Sequence, residues 1–88
     1  MSKKYKLLDE CIELNRHKLF RIQALKDFSN VKTGDIGGYI EYEKNLSQKG
    51  NCWVSGDAWI EDNAEIYGNS EVSGSAKVSG RAKIVGKA

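Results

Sequence analysis

The stretch 53–88 reads WVSGDA, WIEDNA, EIYGNS, EVSGSA, KVSGRA and KIVGKA, which are six consecutive hexads. The second place of each hexad is aliphatic, the sixth is small, and the fourth is glycine except at Asp62. A period of six does not fit the 3.6-residue period of an α-helix. Because the second and sixth places lie four residues apart, they face the same side of a strand. The stretch therefore predicts short strands joined by regular bends, each coil pairing with the next.

Hexads of this kind resemble those of the left-handed parallel β-helix, in which three hexads form one triangular coil of 18 residues. We therefore predict an all-β protein, a short left-handed parallel β-helix of about two to three coils. Eighteen residues before Val54 lies Ile36, and the same offset from Ala58 reaches Ile40. Both are apolar, so the repeat is predicted to begin in degenerate form at Ile36, with both side chains inward. A β-sandwich with accidental spacing is the alternative.

The pattern changes in the first 35 residues, which we predict to be a β-hairpin region that caps the β-helix of residues 36–88. Two β-leaning runs flank Asn15, Arg16 and His17, which predicts a hairpin at about residues 10–24. Residues 5–9 fit either a short strand or a turn of helix. The apolar side chains of this region would cover the open first coil. The alternative is that the hairpin tip at Arg16, His17 and Lys18 contacts a partner.

Composition places the chain in a single domain of 88 residues with a net charge of only +2, which gives no case for a nucleic-acid binder. No apolar run resembles a signal peptide or a membrane span. Cys11 and Cys52 are far apart in the chain, and Cys52 falls at an inward place of the repeat. We therefore expect a cytoplasmic protein with reduced thiols and with Cys52 in the core.

Residues 21–54 go beyond generic hexads. The runs RIQALKDFSNVKTGDIGGYI (21–40) and NLSQKGNCWV (45–54) resemble the N-terminal signature of YdcK-like hexapeptide-repeat proteins of bacteria and prophages. The resemblance implies a left-handed β-helix behind a small N-terminal cap, with a loose association to hexapeptide acyltransferases and no established reaction. The chain looks like a short phage accessory form of this family. Small phage proteins often bind and block host defence complexes, anti-CRISPR proteins among them.

Catalytic groups are sparse in the sequence. His17 is the only histidine, and it lies in the hairpin turn, where a solvated turn residue is the simplest interpretation. The carboxylates of Asp57, Glu61, Asp62 and Glu65 follow successive faces, and no His or Cys spacing suits a metal. We therefore predict a non-catalytic protein that uses neither cofactor nor metal. The alternatives are a reduced acyltransferase-like protein and a self-assembling structural β-helix.

Two surfaces are candidates for partners. Aromatic and basic side chains near the first full coil and the hairpin tip are predicted to bind a host protein such as a CRISPR or other defence nuclease; they are Trp53, Trp59, Tyr67, Arg16 and His17. Alternatively, the tryptophans cover the hairpin. The last coil is predicted to form a homo-oligomer through an open edge; its residues are Lys77, Arg81, Lys83, Ile84 and Lys87. A merely charged edge and a nucleic-acid patch are the alternatives. The 18-residue stacking also predicts a cation–π contact of Lys77 with Trp59.

Overall fold

A computed structural model of the chain describes residues 3–14 and 16–85, and in this part the fold is all-β, with no α-helix. No helix there is long and apolar enough to cross a membrane. A single 3-10 turn lies at Glu43–Asn45. The described residues form nine strands: β1 (Tyr5–Leu14), β2 (His17–Ala24), β3 (Ile36–Ile40), β4 (Trp53–Val54), β5 (Trp59–Ile60), β6 (Glu65–Ile66), β7 (Glu71–Val72), β8 (Lys77–Val78) and β9 (Lys83–Ile84).

The N-terminal hairpin is longer than predicted. Strands β1 and β2 pair antiparallel from Tyr5 opposite Ala24 to Leu14 opposite His17, so residues 5–9 are part of the strand. β2 then pairs antiparallel with β3, placing Phe20 opposite Ile40. The hairpin is therefore continuous with the sheet that carries the first repeats, in the order β1-β2-β3-β5-β8.

The hexads form parallel strand pairs in three separate sheets. Trp53 pairs with Glu71, and Trp59 pairs with Lys77. In the third sheet, β6 and β9 pair at Glu65 and Lys83. Every one of these pairs joins residues that are 18 apart, which confirms the predicted offset.

The core consists of the aliphatic second places, together with the small sixth places of the earlier hexads. The buried members of these two sets are Val54, Ala58, Ile60, Ala64, Ile66, Ser70, Val72 and Val78. Ala76 and Ala82 occupy the same sixth place but are exposed. Cys52 is fully buried, as predicted. The packed interior therefore lies in the first coils and beneath the hairpin, and it thins towards β8 and β9.

The predicted start of the repeat at Ile36 is wrong in register. Ile40 pairs with Ile60, and Leu46 forms a bridge with Ile66, so the first coil is offset by 20 residues. Ser47 N donates to Ile66 O, 19 residues ahead, whereas Asn51 N donates to Gly68 O, 17 ahead. Two extra residues are therefore accommodated between Ser47 and Asn51. Because of this insertion, Ile36 does not occupy a core-facing position of the repeat, and its side chain is 47% exposed.

Trp53 is not an exposed binding residue, because it is only 4% exposed and packs against the hairpin region, as the alternative interpretation of the tryptophans predicts. Its ring packs edge-on against Phe28, with centroids 5.3 Å apart, and against Tyr5 at 6.5 Å. Val54, the next residue, is also buried, so both sides of β4 are covered. The hairpin region covers the outer side of this strand, so Trp53, at a place of the hexad that otherwise faces solvent, is part of the core.

Candidate functional site

The outer face of the five-stranded sheet carries one continuous row of side chains. Arg21 pairs with Tyr39, Tyr39 with Trp59, and Trp59 with Lys77. Directly paired residues point to the same side of a sheet. The following residues Ile40, Ile60 and Val78 are buried, so these four point away from the core. We call Arg21, Tyr39, Trp59 and Lys77 the cation–aromatic row.

Each aromatic ring in the row is held by a cation. The Arg21 guanidinium lies 4.7 Å from the Tyr39 ring centroid, and its Nη1 donates to the Tyr39 hydroxyl at 2.6 Å. Lys77 Nζ lies 4.6 Å from the Trp59 ring, which confirms the predicted contact. Such contacts contribute about 0.5–1 kcal/mol at exposed sites. They favour one orientation of the half-buried rings of Tyr39 and Trp59.

A second cluster lies on the same face, where β2 begins and β3 ends. His17 Nδ1 is 2.8 Å from Glu41 Oε2, and His17 Nε2 is 3.4 Å from Asp62 Oδ1. Glu41 Oε1 also accepts a hydrogen bond from Asp62 N at 2.6 Å. Asp62 adopts a φ of 59°, close to that of glycines such as Gly56 at the same hexad place. The one non-glycine fourth place in the six hexads therefore supplies a carboxylate to this cluster.

The electrostatics of the cluster favour a charged pair. The hydrogen bond to Glu41, aided by the charges of Glu41, Asp62 and Glu61, raises the pKa of His17 despite some desolvation. Burial opposes ionisation of Glu41, but hydrogen bonds from His17 and Asp62 N outweigh it and lower the pKa of this carboxyl. The three side chains bring ligand atoms within 4.8 Å of one another, as a metal site would require. The hydrogen bonds of Glu41 with His17 and with Asp62 N, together with the ion pair of His17 with Asp62, already account for this closeness.

The cluster predicts a dependence of stability on pH. The His17 contribution is complete below its ordinary pKa of 6.5 and is lost as pH rises through the raised folded pKa. The Glu41 contribution is present above 4.5 and is lost as pH falls through the lowered folded pKa. The stabilisation therefore peaks between these values. Thermal unfolding should show the advantage of the wild type over His17→Gln to be larger at about pH 5.5 than at about pH 8.5. An advantage independent of pH would contradict the ion pair.

The predicted site residues fall into separate places. Trp59 and Lys77 share the cation–aromatic row, whereas Trp53 is core. Tyr67 lines a separate depression of about 290 Å³; its other lining residues are Lys44, Ser47, Glu65 and Ile66. Arg16 is exposed in the hairpin turn with a φ of 72°, and His17 is paired with carboxylates.

The predicted edge residues are only partly described. Arg81 and Lys83 are exposed, Ile84 is half-buried against Ile66, and Lys87 lies outside the described residues. Within the described part, β7, β8 and β9 each pair with one other strand only, so their outer edges are open.

Sequence reasoning missed Arg21, Tyr39 and Glu41. Arg21 and Tyr39 lie in runs that were interpreted as cap and degenerate repeat, and nothing local in the sequence marks them as neighbours of Trp59. Asp62 could have indicated the cluster with His17 from the sequence. A non-glycine residue at a place that favours glycine adopts a strained backbone conformation, which a specific contact must compensate.

The fold and the two clusters define an all-β protein with parallel hexad strand pairs, an N-terminal hairpin and a cation–aromatic row on one sheet face. No protein-family model matches the chain. Over 36 residues, 41% of this chain, it is 47% identical to the "Uncharacterized acetyltransferase YdcK" of Escherichia coli (strain K12), and the match covers 11% of that protein. This partial similarity agrees with the resemblance to hexapeptide-repeat proteins. It does not bear on the narrower phage form.

Proposed function

We propose that the chain is a non-catalytic protein-binding module built on a short left-handed parallel β-helix. The parallel strand pairs at an 18-residue offset in three sheets support this scaffold. Its coils hold side chains at fixed spacing on flat sheet faces, with little of the loop structure that usually forms a substrate cleft.

The cation–aromatic row is the observation that carries the proposal. Trp, Tyr and Arg are the residue types most enriched among interface residues that dominate binding energy. Here Arg21, Tyr39 and Trp59 lie side by side, and each is only partly covered. Because the cation contacts already favour one orientation of each ring, docking a partner would cost less side-chain entropy. A flat protein surface suits this row better than a small molecule, since small ligands need concave sites.

The identity of the partner is a narrower question. A host defence complex stays a prediction from the resemblance alone, as does the phage origin. Self-association through the open edges of β7, β8 and β9 likewise stays a prediction. The row reaches the open edge of β8 at Lys77, but Arg21, Tyr39 and Trp59 lie on inner strands of the sheet. Variants at these three residues therefore separate the two modes of binding.

The test is affinity capture from a bacterial lysate with immobilised wild type, Trp59→Ala and Glu71→Ala. Glu71 is the matched control, because it is exposed and occupies the same hexad place as Trp59 on another sheet. We expect one stoichiometric protein with the wild type and Glu71→Ala, and its loss with Trp59→Ala. Equal capture by all three proteins would contradict the row as the binding site.

One observation favours a second candidate, an acyltransferase-like activity. Glu41 holds His17 Nδ1, an arrangement that would orient the ring so that Nε2 acts as a general base. The similar protein from Escherichia coli is named an acetyltransferase. Against this role, Nε2 already faces Asp62 at 3.4 Å. Calorimetric titration with coenzyme A distinguishes the candidates: measurable binding that is lost in His17→Ala favours the enzyme, and no heat of binding excludes it.

A further inference from the structure

The N-terminal segment buries an amine against a thiol. Lys4 is fully buried, and its Nζ lies 3.2 Å from Cys52 Sγ, which is also fully buried. Nζ also donates to Cys52 O at 2.7 Å and to Gly50 O at 3.3 Å, and it lies 5.0 Å from the Phe28 ring. Lysine is almost never fully buried without a specific partner. The pair plays no part in the cation–aromatic row.

We propose that Lys4 and Cys52 form a reversible covalent cross-link when the protein meets peroxide. Hydrogen peroxide first oxidises the Cys52 thiol to a sulfenic acid and leaves as water. The Lys4 amine then attacks the sulfur, a nitrogen–sulfur bond forms as the sulfur–oxygen bond breaks, and the sulfenic hydroxyl departs with one amine proton as a second water. The pair thereby loses two hydrogens. Two equivalents of an external thiol reduce the nitrogen–sulfur bond. This reaction restores the Lys4 amine and the Cys52 thiol, and the external thiol is oxidised to its disulfide.

The geometry favours this step over the usual fate of an oxidised cysteine. Reacting atoms at about 3–3.5 Å are in near-attack range, and Nζ and Sγ lie 3.2 Å apart. As a neutral amine, Lys4 has two N–H groups, which donate hydrogen bonds to the carbonyl oxygens of Cys52 and Gly50. The nitrogen lone pair then remains free to attack the sulfur. Burial lowers the pKa of Lys4, although Cys52 acts in the opposite direction. The nucleophilic form is therefore more accessible than in an exposed lysine.

We expect peroxide to reach the sulfur through the segment that holds the two inserted residues, between Ser47 and Asn51. Lys49, Gly50 and Asn51 are exposed and immediately precede Cys52. Loops that make few buried contacts open locally far more often than the whole fold unfolds. Peroxide is nearly as small as water, so a brief opening of this loop admits it. Larger oxidants and thiol-blocking reagents would react much more slowly at Cys52 than at the exposed Cys11.

The experiment uses full-length protein with Cys11→Ser, which removes the exposed thiol. After peroxide treatment, the protein is digested with a protease that does not cut at lysine and analysed by mass spectrometry. We expect a linked peptide pair containing Lys4 and Cys52, lighter by two hydrogens than the two peptides combined and separated by dithiothreitol. Lys4→Arg keeps the charge and the donors but removes the nucleophile, so it should give no linked pair.

A second measurement does not depend on any variant of Lys4. The link closes a loop between residues 48 positions apart, so it should raise Tm by roughly ten degrees or more, and dithiothreitol should reverse the rise. The proposal is overturned if Cys52 is recovered as sulfinic or sulfonic acid while the Lys4 amine stays free. It is equally overturned if Cys52 remains a thiol at peroxide doses that fully oxidise Cys11 in the wild type.

Discussion

Replacing Trp53 by alanine is expected to lower the free energy of unfolding by about 3–5 kcal/mol, the range for large aromatic side chains in cores. The indole is 4% exposed and lies between Tyr5 and Phe28 on one side and the coils on the other. Its removal opens a cavity where the hairpin region meets the repeats. Stability would be measured by urea unfolding followed by circular dichroism. For a chain of this size such a loss approaches the whole stability.

Trp59→Ala is the matched control, since Trp59 occupies the same hexad place six residues further along. Its ring is half-buried on the outer face and contacts Lys77 Nζ at 4.6 Å. We expect a loss below about 1.5 kcal/mol, because it leaves no enclosed cavity. Equal destabilisation by the two substitutions would contradict the assignment of one tryptophan to the core and the other to the surface.

Asn45→Ala is expected to cost about 2–4 kcal/mol, because it breaks four hydrogen bonds at a fully buried position. Asn45 Oδ1 accepts from Glu41 N at 3.0 Å and from Tyr42 N at 2.6 Å. Its Nδ2 donates to Ala64 O at 2.7 Å and to Asp62 O at 3.2 Å. These bonds join the turn after β3 to the segment that follows β5, so their loss removes the Asn45 partner of Tyr42 N and of the buried Ala64 O.

Two comparisons sharpen the Asn45 prediction. Asn45→Asp keeps the shape and the acceptor but loses both donor bonds, so it should destabilise the protein at neutral pH at least as much as alanine does. Asn63→Ala serves as the control, since Asn63 is exposed and its side-chain oxygen accepts a hydrogen bond from Lys44 Nζ on the surface. A cost at Asn45 no greater than that at Asn63, measured by the same urea unfolding, would show that the buried network contributes nothing.

The repeating part of the fold could be predicted because its signal is local and periodic. Aliphatic residues at every sixth position, from Val54 to Val78, are buried as the pattern requires. Parallel pairing at an 18-residue offset follows from the same period. The prediction was wrong at Ile36 because two inserted residues shift the register, and their position is visible only once the Ser47 and Asn51 hydrogen bonds are known.

The candidate site was harder to predict, because it depends on contacts between distant parts of the chain. Arg21 and Tyr39 become neighbours of Trp59 only through the pairing of β2 with β3 and of β3 with β5. His17 meets Glu41 and Asp62 in the same way, across separations that no spacing rule covers. Whether a tryptophan at the first hexad place is buried depends on the hairpin region above it, not on the hexad.

The central claim, that the cation–aromatic row binds a protein, is tested most directly by the dissociation constant of the captured partner. It would be measured for the wild type, Arg21→Ala, Trp59→Ala and Glu71→Ala, each first shown to be folded. A dominant interface residue contributes about 2 kcal/mol or more, which corresponds to about thirtyfold in affinity. We predict at least this weakening for Trp59→Ala, a smaller one for Arg21→Ala and none for Glu71→Ala. Unchanged affinity in Trp59→Ala would contradict the account.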